Sequence, residues 1–267
     1  MTTLDSMITP IAGPVTLRRV VRSEWTKFRS LRSTWWSIGV TVVAAVGVGV
    51  ITSASAAGNH AASAVPVDVA GRSELGGLIS QLAVAVLAVL FVCGEYGTGM
   101  IRSSMIAVPR RLPVLWAKFG VFVAAVLPVT LVSSLAAYAL GQVFWTAHGR
   151  PGVALTDPGV ARVVFGAGVC VMLTGLCALA IGTLVRNTAA GITTMVGIYF
   201  MLPIVAGEMP QRIAELSRFL PSNASGAVWG ASLSPVSMTP ADGFALLCAY
   251  TVVLGGAAAW RLRRGDV

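Results

Sequence analysis

The sequence predicts an all-α membrane protein with six transmembrane helices, and three observations carry this prediction. Of the 267 residues, 56% are hydrophobic and only 11% are charged, whereas an average soluble domain has about 25% charged residues. Six apolar runs are each about long enough for a helix that crosses a hydrocarbon layer of about 30 Å. The runs are continuous rather than alternating in hydrophobicity, which favours helices over the strands of a barrel. A soluble domain is disfavoured, because so few charged residues cannot cover its surface.

Each predicted transmembrane helix is an apolar run in which Asp, Glu, Lys and Arg are absent or stand near an end. The third run contains Pro128, and it carries Lys118 near its start, where we expect the ammonium group to reach the membrane surface. No Asp or Glu lies within any run, so we expect a membrane interior without acidic groups. The runs span residues 36–57, 75–93, 116–144, 163–185, 189–206 and 244–260.

The distribution of basic residues predicts the orientation of the chain. Six crossings place both termini on one side, and Lys and Arg accumulate in cytoplasmic loops. Most of the 19 basic residues fall on the side of the termini, so we expect both termini to be cytoplasmic and the protein to lie in the cell membrane. The net charge of +9 then reflects topology rather than a nucleic-acid-binding patch. The chain divides into a cytoplasmic N-terminus 1–35, a transmembrane domain 36–260 and a cytoplasmic C-terminus 261–267.

The N-terminal segment predicts an amphipathic elbow helix before the first crossing. Leu17, Val21, Trp25 and Phe28 recur at spacings of three and four residues, which places them on one helix face, with arginines around the other. Such a helix rests in the headgroup plane with its aromatic side chains embedded. The alternative is a purely positional anchor that sets topology.

The cytoplasmic loop 94–113 predicts a coupling helix between the second and third transmembrane helices. It is too polar to cross the membrane and too apolar for a solvated loop. Thr98 could cap a short helix that ends at Pro109, presenting Met and Ile side chains with a rim of arginines. Met and Arg are enriched in protein interfaces, so we expect this segment to dock a partner. The alternative is an inner-leaflet loop whose arginines only set topology.

The chain carries no recognisable catalytic or cofactor motif. It has no GxxxxGK[ST] phosphate loop, no His/Cys/Asp cluster with metal-ligand spacing and no Ser/His/Asp set on one face. Its four cysteines lie in apolar runs, as packing residues do. We therefore expect no enzyme activity, no cofactor and no metal in this chain. If the protein moves a substrate, the energy would come from another subunit.

Small residues recur on the fourth predicted helix. Gly168, Gly175 and Gly182 are seven residues apart, which places them on one face and lets helices approach closely. The pattern favours bundle packing, and the alternative is a subunit interface or a translocation seam.

Several segments, taken in order, resemble a known family. They are SEWTKFRSLRSTWW (23–36), the loop from Glu95-Tyr96 to Pro109-Arg110-Arg111 followed by Lys118, LVRNT (184–188), LSRFLP (216–221) and RLRR (261–264). Their order and position relative to six predicted spans resemble the permease subunits of type-2 ATP-binding-cassette (ABC) exporters, particularly the actinobacterial kind. The chain departs from the family pattern at Gly99-Met100, where Gly-Thr is usual, and at Arg264-Gly265-Asp266, where an Arg-Asp pair is usual.

The resemblance implies partners and an energy source. In that family two permease subunits, identical or different, form a twelve-helix core, and each docks an ABC ATPase subunit that binds ATP and magnesium. The elbow and the loop 94–113 would form the ATPase-coupling interface. Its residues would be Arg22, Glu24, Lys27, Arg29, Glu95, Thr98, Arg102, Met105, Pro109, Arg110 and Arg111.

The implied function is ATP-driven export of an amphiphilic drug, peptide or lipid-like compound. The extracytoplasmic loop 207–241 resembles the family's region before the last helix, where a short amphipathic or re-entrant piece would cap the exit path. A mostly apolar seam would accept the cargo, although Met and aromatic residues at helical spacing are more often ordinary packing. The seam residues would be Trp36, Met172, Met195, Tyr199 and Phe200.

Two other functions stay open at this point. A non-transporting membrane scaffold or assembly protein needs neither a cavity nor nucleotide coupling. A gradient-driven transporter is disfavoured, because such proteins place ionisable residues at membrane depth and the apolar runs contain no acid.

Overall fold

The computed structural model describes residues 16–59, 65–97, 111–209, 215–230 and 238–264. These residues form helices and turns with no strand among them, and six helices are long and apolar enough to cross a membrane. The all-α class and the six candidate spans are thereby confirmed. The helices are α1 (Leu17–Ser30), α2 (Arg32–Ala57), α3 (Pro66–Ser73), α4 (Gly77–Gly97), α5 (Arg111–Ala147), α6 (Val160–Val185), α7 (Thr188–Gly207, with a π-helical turn at Gly197–Met201), α8 (Pro221–Trp229) and α9 (Pro240–Arg264). The candidate spans are α2, α4, α5, α6, α7 and α9.

Polar caps set the starts of α7 and α9, which lie at Thr188 and Pro240 instead of at the predicted positions 189 and 244. The Asn187 side chain accepts a hydrogen bond from the N–H of Ala190, which starts α7. Thr239 Oγ1 accepts one from the N–H of Asp242, and α9 begins at Pro240 between them. Both are standard helix-start devices. A search for apolar runs does not find these helix starts, because the capping residues are polar.

α1 packs on the bundle through a face that differs from the predicted apolar stripe. Val20, Glu24 and Phe28 are buried, whereas Leu17 and Trp25 are exposed. α1 therefore carries an acidic side chain into the bundle and leaves an apolar stripe outside it.

α6 is the central helix, and all its residues from Cys170 to Thr183 are buried. A Cβ at Gly175 would lie 2.6 Å from both the Phe122 ring and a Val84 methyl group. In this chain the absence of a side chain at Gly175 therefore serves close packing of α6 against α4 and α5.

Replacing Gly175 with alanine is expected to lower the free energy of unfolding by about 1–3 kcal/mol, because the added methyl group overpacks the contact. Gly120→Ala is the matched control, since a Cβ there has no neighbour within 4 Å and alanine favours a helix. Thermal unfolding in detergent, followed with a thiol-reactive dye on the buried cysteines, checks both variants. A Gly175→Ala midpoint equal to that of the wild type contradicts the packing role.

Two short helices, α3 and α8, enter the bundle from the end opposite to α1. They meet at the start of α4, where a Cβ at Gly77 would lie 2.6 Å from the indole ring of Trp229. The turn after α3 reaches the middle of α2, because a Cβ at Gly76 would lie 2.4 Å from the carbonyl oxygens of Ala44 and Ala45. Only glycine permits so close an approach of two backbones. The chain between α2 and α4 thus dips into the bundle instead of crossing its surface.

The short piece predicted in loop 207–241 is a 3₁₀ turn (Glu215–Phe219) followed by α8. α8 is buried even at polar positions, and part of its polar groups hydrogen-bond inside the bundle, whereas Ser222 Oγ and Asn223 Oδ1 are buried without a hydrogen-bond partner. Gln81 Nε2 donates to Ser225 Oγ at 3.1 Å, and Asn223 Nδ2 donates to the carbonyl oxygen of Ser217 at 2.8 Å. The piece is therefore part of the bundle.

Candidate coupling and transport site

Four charged side chains meet at the end of the bundle where α1 lies. Lys118 Nζ is 2.6 Å from Glu24 Oε2 and 2.8 Å from Glu95 Oε1. Lys27 Nζ is 2.8 Å from Glu24 Oε1 and 2.8 Å from Glu95 Oε1. Because each lysine contacts both glutamates, the four groups form one closed ring with no net charge. We call these four residues the charge cluster.

Three helices bring the charge cluster together. α1 supplies Glu24 and Lys27, which are three residues apart and share a helix face. Glu95 lies near the end of α4, and Lys118 lies near the start of α5. The segment 98–110, which lies outside the described residues, joins α4 to α5. The charge cluster therefore ties both flanks of this segment to α1.

The charge cluster is buried and walled by aromatic rings. Lys118 is 5% exposed, and its Nζ lies 4.6 Å from the centroid of the Phe91 ring. Phe28 packs edge-on against Phe91. Buried charges are tolerated only when they are paired, and removing one partner leaves a costly unpaired charge. The prediction that Lys118 reaches the membrane surface is wrong, because two carboxylates hold its ammonium group inside the bundle.

Lys27 is the most exposed member of the charge cluster. Burial lowers the pKa of Lys27, but its hydrogen bonds to Glu24 and Glu95 and their negative charges outweigh burial and hold that pKa above its usual value. A lysine whose pKa is raised by folding stabilises the fold fully at pH values below the pKa of the unfolded state, which is about 10.4. This stabilisation is lost as pH rises through the higher folded value. Lys27 therefore contributes its full stabilisation at neutral pH.

The other predicted coupling residues fall into two groups. Arg22 and Arg29 lie on α1 and are exposed beside the charge cluster residues Glu24 and Lys27. Arg111 is the first residue of α5, and its side chain is outside the described part of the chain. The remaining predicted residues also lie outside it: Thr98, Arg102, Met105, Pro109 and Arg110.

The predicted cargo seam is partly gathered in one place. Met172, Met195 and Tyr199 are buried in the main hydrophobic cluster, and Phe200 packs against it. Trp36 is apart from them on α2 and is 77% exposed. Tyr199 and Phe200 lie in the π-helical turn of α7, a distortion that is frequent at functional sites. In the single chain, the four residues other than Trp36 are packed as core residues.

An acidic side chain lies inside the bundle, level with the middle of α2, where hydropathy predicts none. Glu74 follows α3 and is 3% exposed. Its Oε2 is 2.7 Å from Ser134 Oγ of α5, and its Oε1 is buried with no hydrogen-bond partner. The expectation of a membrane interior without acidic groups is therefore wrong.

Sequence reasoning missed Glu74 because this residue directly precedes an apolar run and was assigned to the loop outside it. The signal was the Gly76-Gly77 pair just after it, which permits the close approach to α2. Among the residues that the structure describes, no group of three or more His, Cys, Asp or Glu side chains could hold a metal ion.

A comparison with models of known protein families finds no matching family, and a comparison with curated proteins finds no match.

Proposed function

We propose that the chain is the membrane permease subunit of an ATP-driven exporter of the type-2 ABC kind, in which a separate subunit hydrolyses ATP. Its cargo would be an amphiphilic drug, peptide or lipid-like compound. The proposal rests on the sequence resemblance and on one structural observation, the charge cluster. The cluster links α1 to both helices that flank segment 98–110. Permeases of this kind contact their ATPase through the corresponding elements.

The charge cluster supports a mechanical route for coupling. Closure of an ATPase pair would push on segment 98–110 from the cytoplasm. Since Glu95 and Lys118 both bind α1, a displaced segment would move α1, α4 and α5 together rather than bend one loop. α4 and α5 both pack on α6, so the movement would reach the centre of the bundle.

The exposed helices support a second permease subunit. In an apolar stretch of 18 residues taken from each helix, only 22% is buried in α2, α7 and α9, compared with 83% in α6. Lipid covers some of these faces, and a twelve-helix core of two copies or of two different permeases would cover others. Exposed apolar residues on α2 include Trp36, Val40, Val43 and Ile51.

Co-purification tests the proposal. The chain is expressed alone and with the product of a neighbouring gene that encodes a soluble protein with a phosphate loop, and both preparations are reconstituted in liposomes. We expect the pair to copurify and to move a fluorescent amphiphile, rhodamine 6G, only with ATP and magnesium, and the chain alone to do neither. Absence of a complex contradicts the proposal and is the result expected of the alternative, a non-transporting scaffold.

Glu74 favours a second candidate, an ion-gradient-driven transporter, because ionisable residues at membrane depth mark ion pathways in such proteins. The same liposomes separate the two functions. Transport by the chain alone that follows a sodium or proton gradient without ATP supports the second candidate and contradicts the first.

A further inference from the structure

A small cavity lies between α2, α4, α5 and α6, and both apolar and polar residues line it. It has room for about one water molecule. Its lining combines the Glu74 carboxyl group with five hydroxyl groups, and it includes no Lys, Arg or His. The hydroxyl groups belong to Thr41, Ser80, Thr130, Ser133 and Ser134.

Four of the five hydroxyl groups donate their hydrogen bond to backbone carbonyl oxygens. Each therefore turns only lone pairs toward other neighbours, because a hydroxyl group has a single hydrogen to donate. The bonds run from Thr41 to Ser37 at 2.8 Å, from Ser80 to Thr41 at 2.9 Å, from Thr130 to Leu127 at 3.1 Å and from Ser133 to Val129 at 2.7 Å.

The fifth hydroxyl group is shared. Ser134 Oγ lies within hydrogen-bond distance of both Glu74 Oε2 and the carbonyl oxygen of Val164. Its single hydrogen can satisfy only one of these two acceptors at a time. Glu74 Oε1 has no partner at all. The cavity therefore offers acceptors in excess and is short of donors.

A buried acceptor site of this kind is complementary to a cation. A carboxylate away from water is costly unless a positive charge accompanies it. No basic side chain lines the cavity, so Glu74 is either protonated or paired with a cation that comes from outside the chain. One carboxylate matches one positive charge, and the space matches an ion or group of about the size of one water molecule.

We propose that Glu74 and the surrounding hydroxyl groups form a binding site for a small monovalent cation, either an alkali ion or a primary ammonium group. This site is separate from the charge cluster and does not depend on ATPase coupling. Cation binding would hold the turn after α3 against α2, α4 and α5, because the carboxyl group belongs to this turn and the five hydroxyl groups belong to these three helices.

The test uses the full-length chain purified in detergent without any ATPase. Thermal unfolding is measured in sodium, potassium or methylammonium chloride, with N-methylglucamine chloride at the same ionic strength as the bulky control cation. In parallel, a hydrophobic carbodiimide, which reacts with protonated buried carboxyl groups, is used to label the protein at fixed pH, and mass spectrometry locates the label. Glu74→Gln keeps the shape of the side chain, and Glu215→Gln, on an exposed turn, is the matched control.

We expect one or more small cations to raise the unfolding midpoint and to lower carbodiimide labelling of Glu74 several-fold, relative to N-methylglucamine. Glu74→Gln should lose both effects, and Glu215→Gln should keep them. An effect of sodium or potassium alone assigns the site to an alkali ion, and an effect of methylammonium alone assigns it to an ammonium group. Absence of both effects in the wild type, or a midpoint shift that persists in Glu74→Gln, overturns the proposal. Either result leaves ATPase coupling unaffected.

Discussion

Replacing Lys118 with methionine is expected to lower the free energy of unfolding by about 3–5 kcal/mol, the cost of breaking a buried ion pair from one side. Methionine fills much the same space beside Phe91, so packing is largely kept and the charge is the main change. Without Lys118, Glu24 and Glu95 share Lys27 alone, and the buried charge cluster carries a net negative charge. The thermal unfolding midpoint in detergent measures this loss.

Lys27→Met is the matched control for Lys118→Met. The Lys27 side chain is 25% exposed, whereas that of Lys118 is 6% exposed. Water and salt therefore screen the ion pairs of Lys27 more than those of Lys118, and we expect a smaller drop in the unfolding midpoint for Lys27→Met. Equal midpoints for Lys118→Met and the wild type contradict a stabilising charge cluster. A larger loss for Lys27→Met than for Lys118→Met contradicts the assigned burial order.

The long helices could be predicted from sequence, because each is an apolar run of membrane-spanning length. α6, for example, begins at Val160, close to the predicted start of 163. α3 and α8 could not be predicted in this way, since they have 8 and 9 residues and fall below any length rule for a span. Their burial depends on glycine contacts such as that between Gly77 and Trp229, which are tertiary.

Three members of the charge cluster could be selected from the sequence, but their ion pairs could not be predicted. Glu24, Lys27 and Glu95 were selected as coupling residues by resemblance, but their pairing was not foreseen. The partners are far apart in the chain, with sequence separations of 68 positions from Lys27 to Glu95 and 94 positions from Glu24 to Lys118. Only the packing of α1 on α4 and α5 brings them together. The burial of Lys118 is unpredictable for the same reason, since a lysine near a helix end is expected to reach water unless its buried partners are known.

Glu74 changes the argument about energy sources. The sequence disfavours gradient coupling because its apolar runs lack acids, but the structure buries Glu74 among α2, α5 and α6. ATP coupling is therefore proposed from the sequence resemblance and the charge cluster, and variants in segment 98–110 test it.

Replacing both Arg102 and Arg110 with glutamate is expected to abolish cargo-stimulated ATP hydrolysis by the proposed complex of the chain with an ATPase. Both arginines belong to the segment that joins α4 to α5, outside the described residues. Two reversals change the charge of a docking segment by four units, and like-charge contacts across an interface cost several kcal/mol. The charge cluster itself is untouched, so the fold should be kept. ATP hydrolysis by the reconstituted complex, with and without cargo, measures the effect.

Arg261→Glu with Arg263→Glu is the matched control, because both residues are exposed at the end of α9 and the charge change is the same. We expect this variant to retain cargo-stimulated turnover, since the C-terminal arginines are outside the proposed docking surface. Unfolding midpoints near that of the wild type show that both double variants are folded. Two opposed results then remain. Loss of turnover in the loop variant alone places coupling in segment 98–110, and unchanged turnover in it removes the coupling role of these arginines.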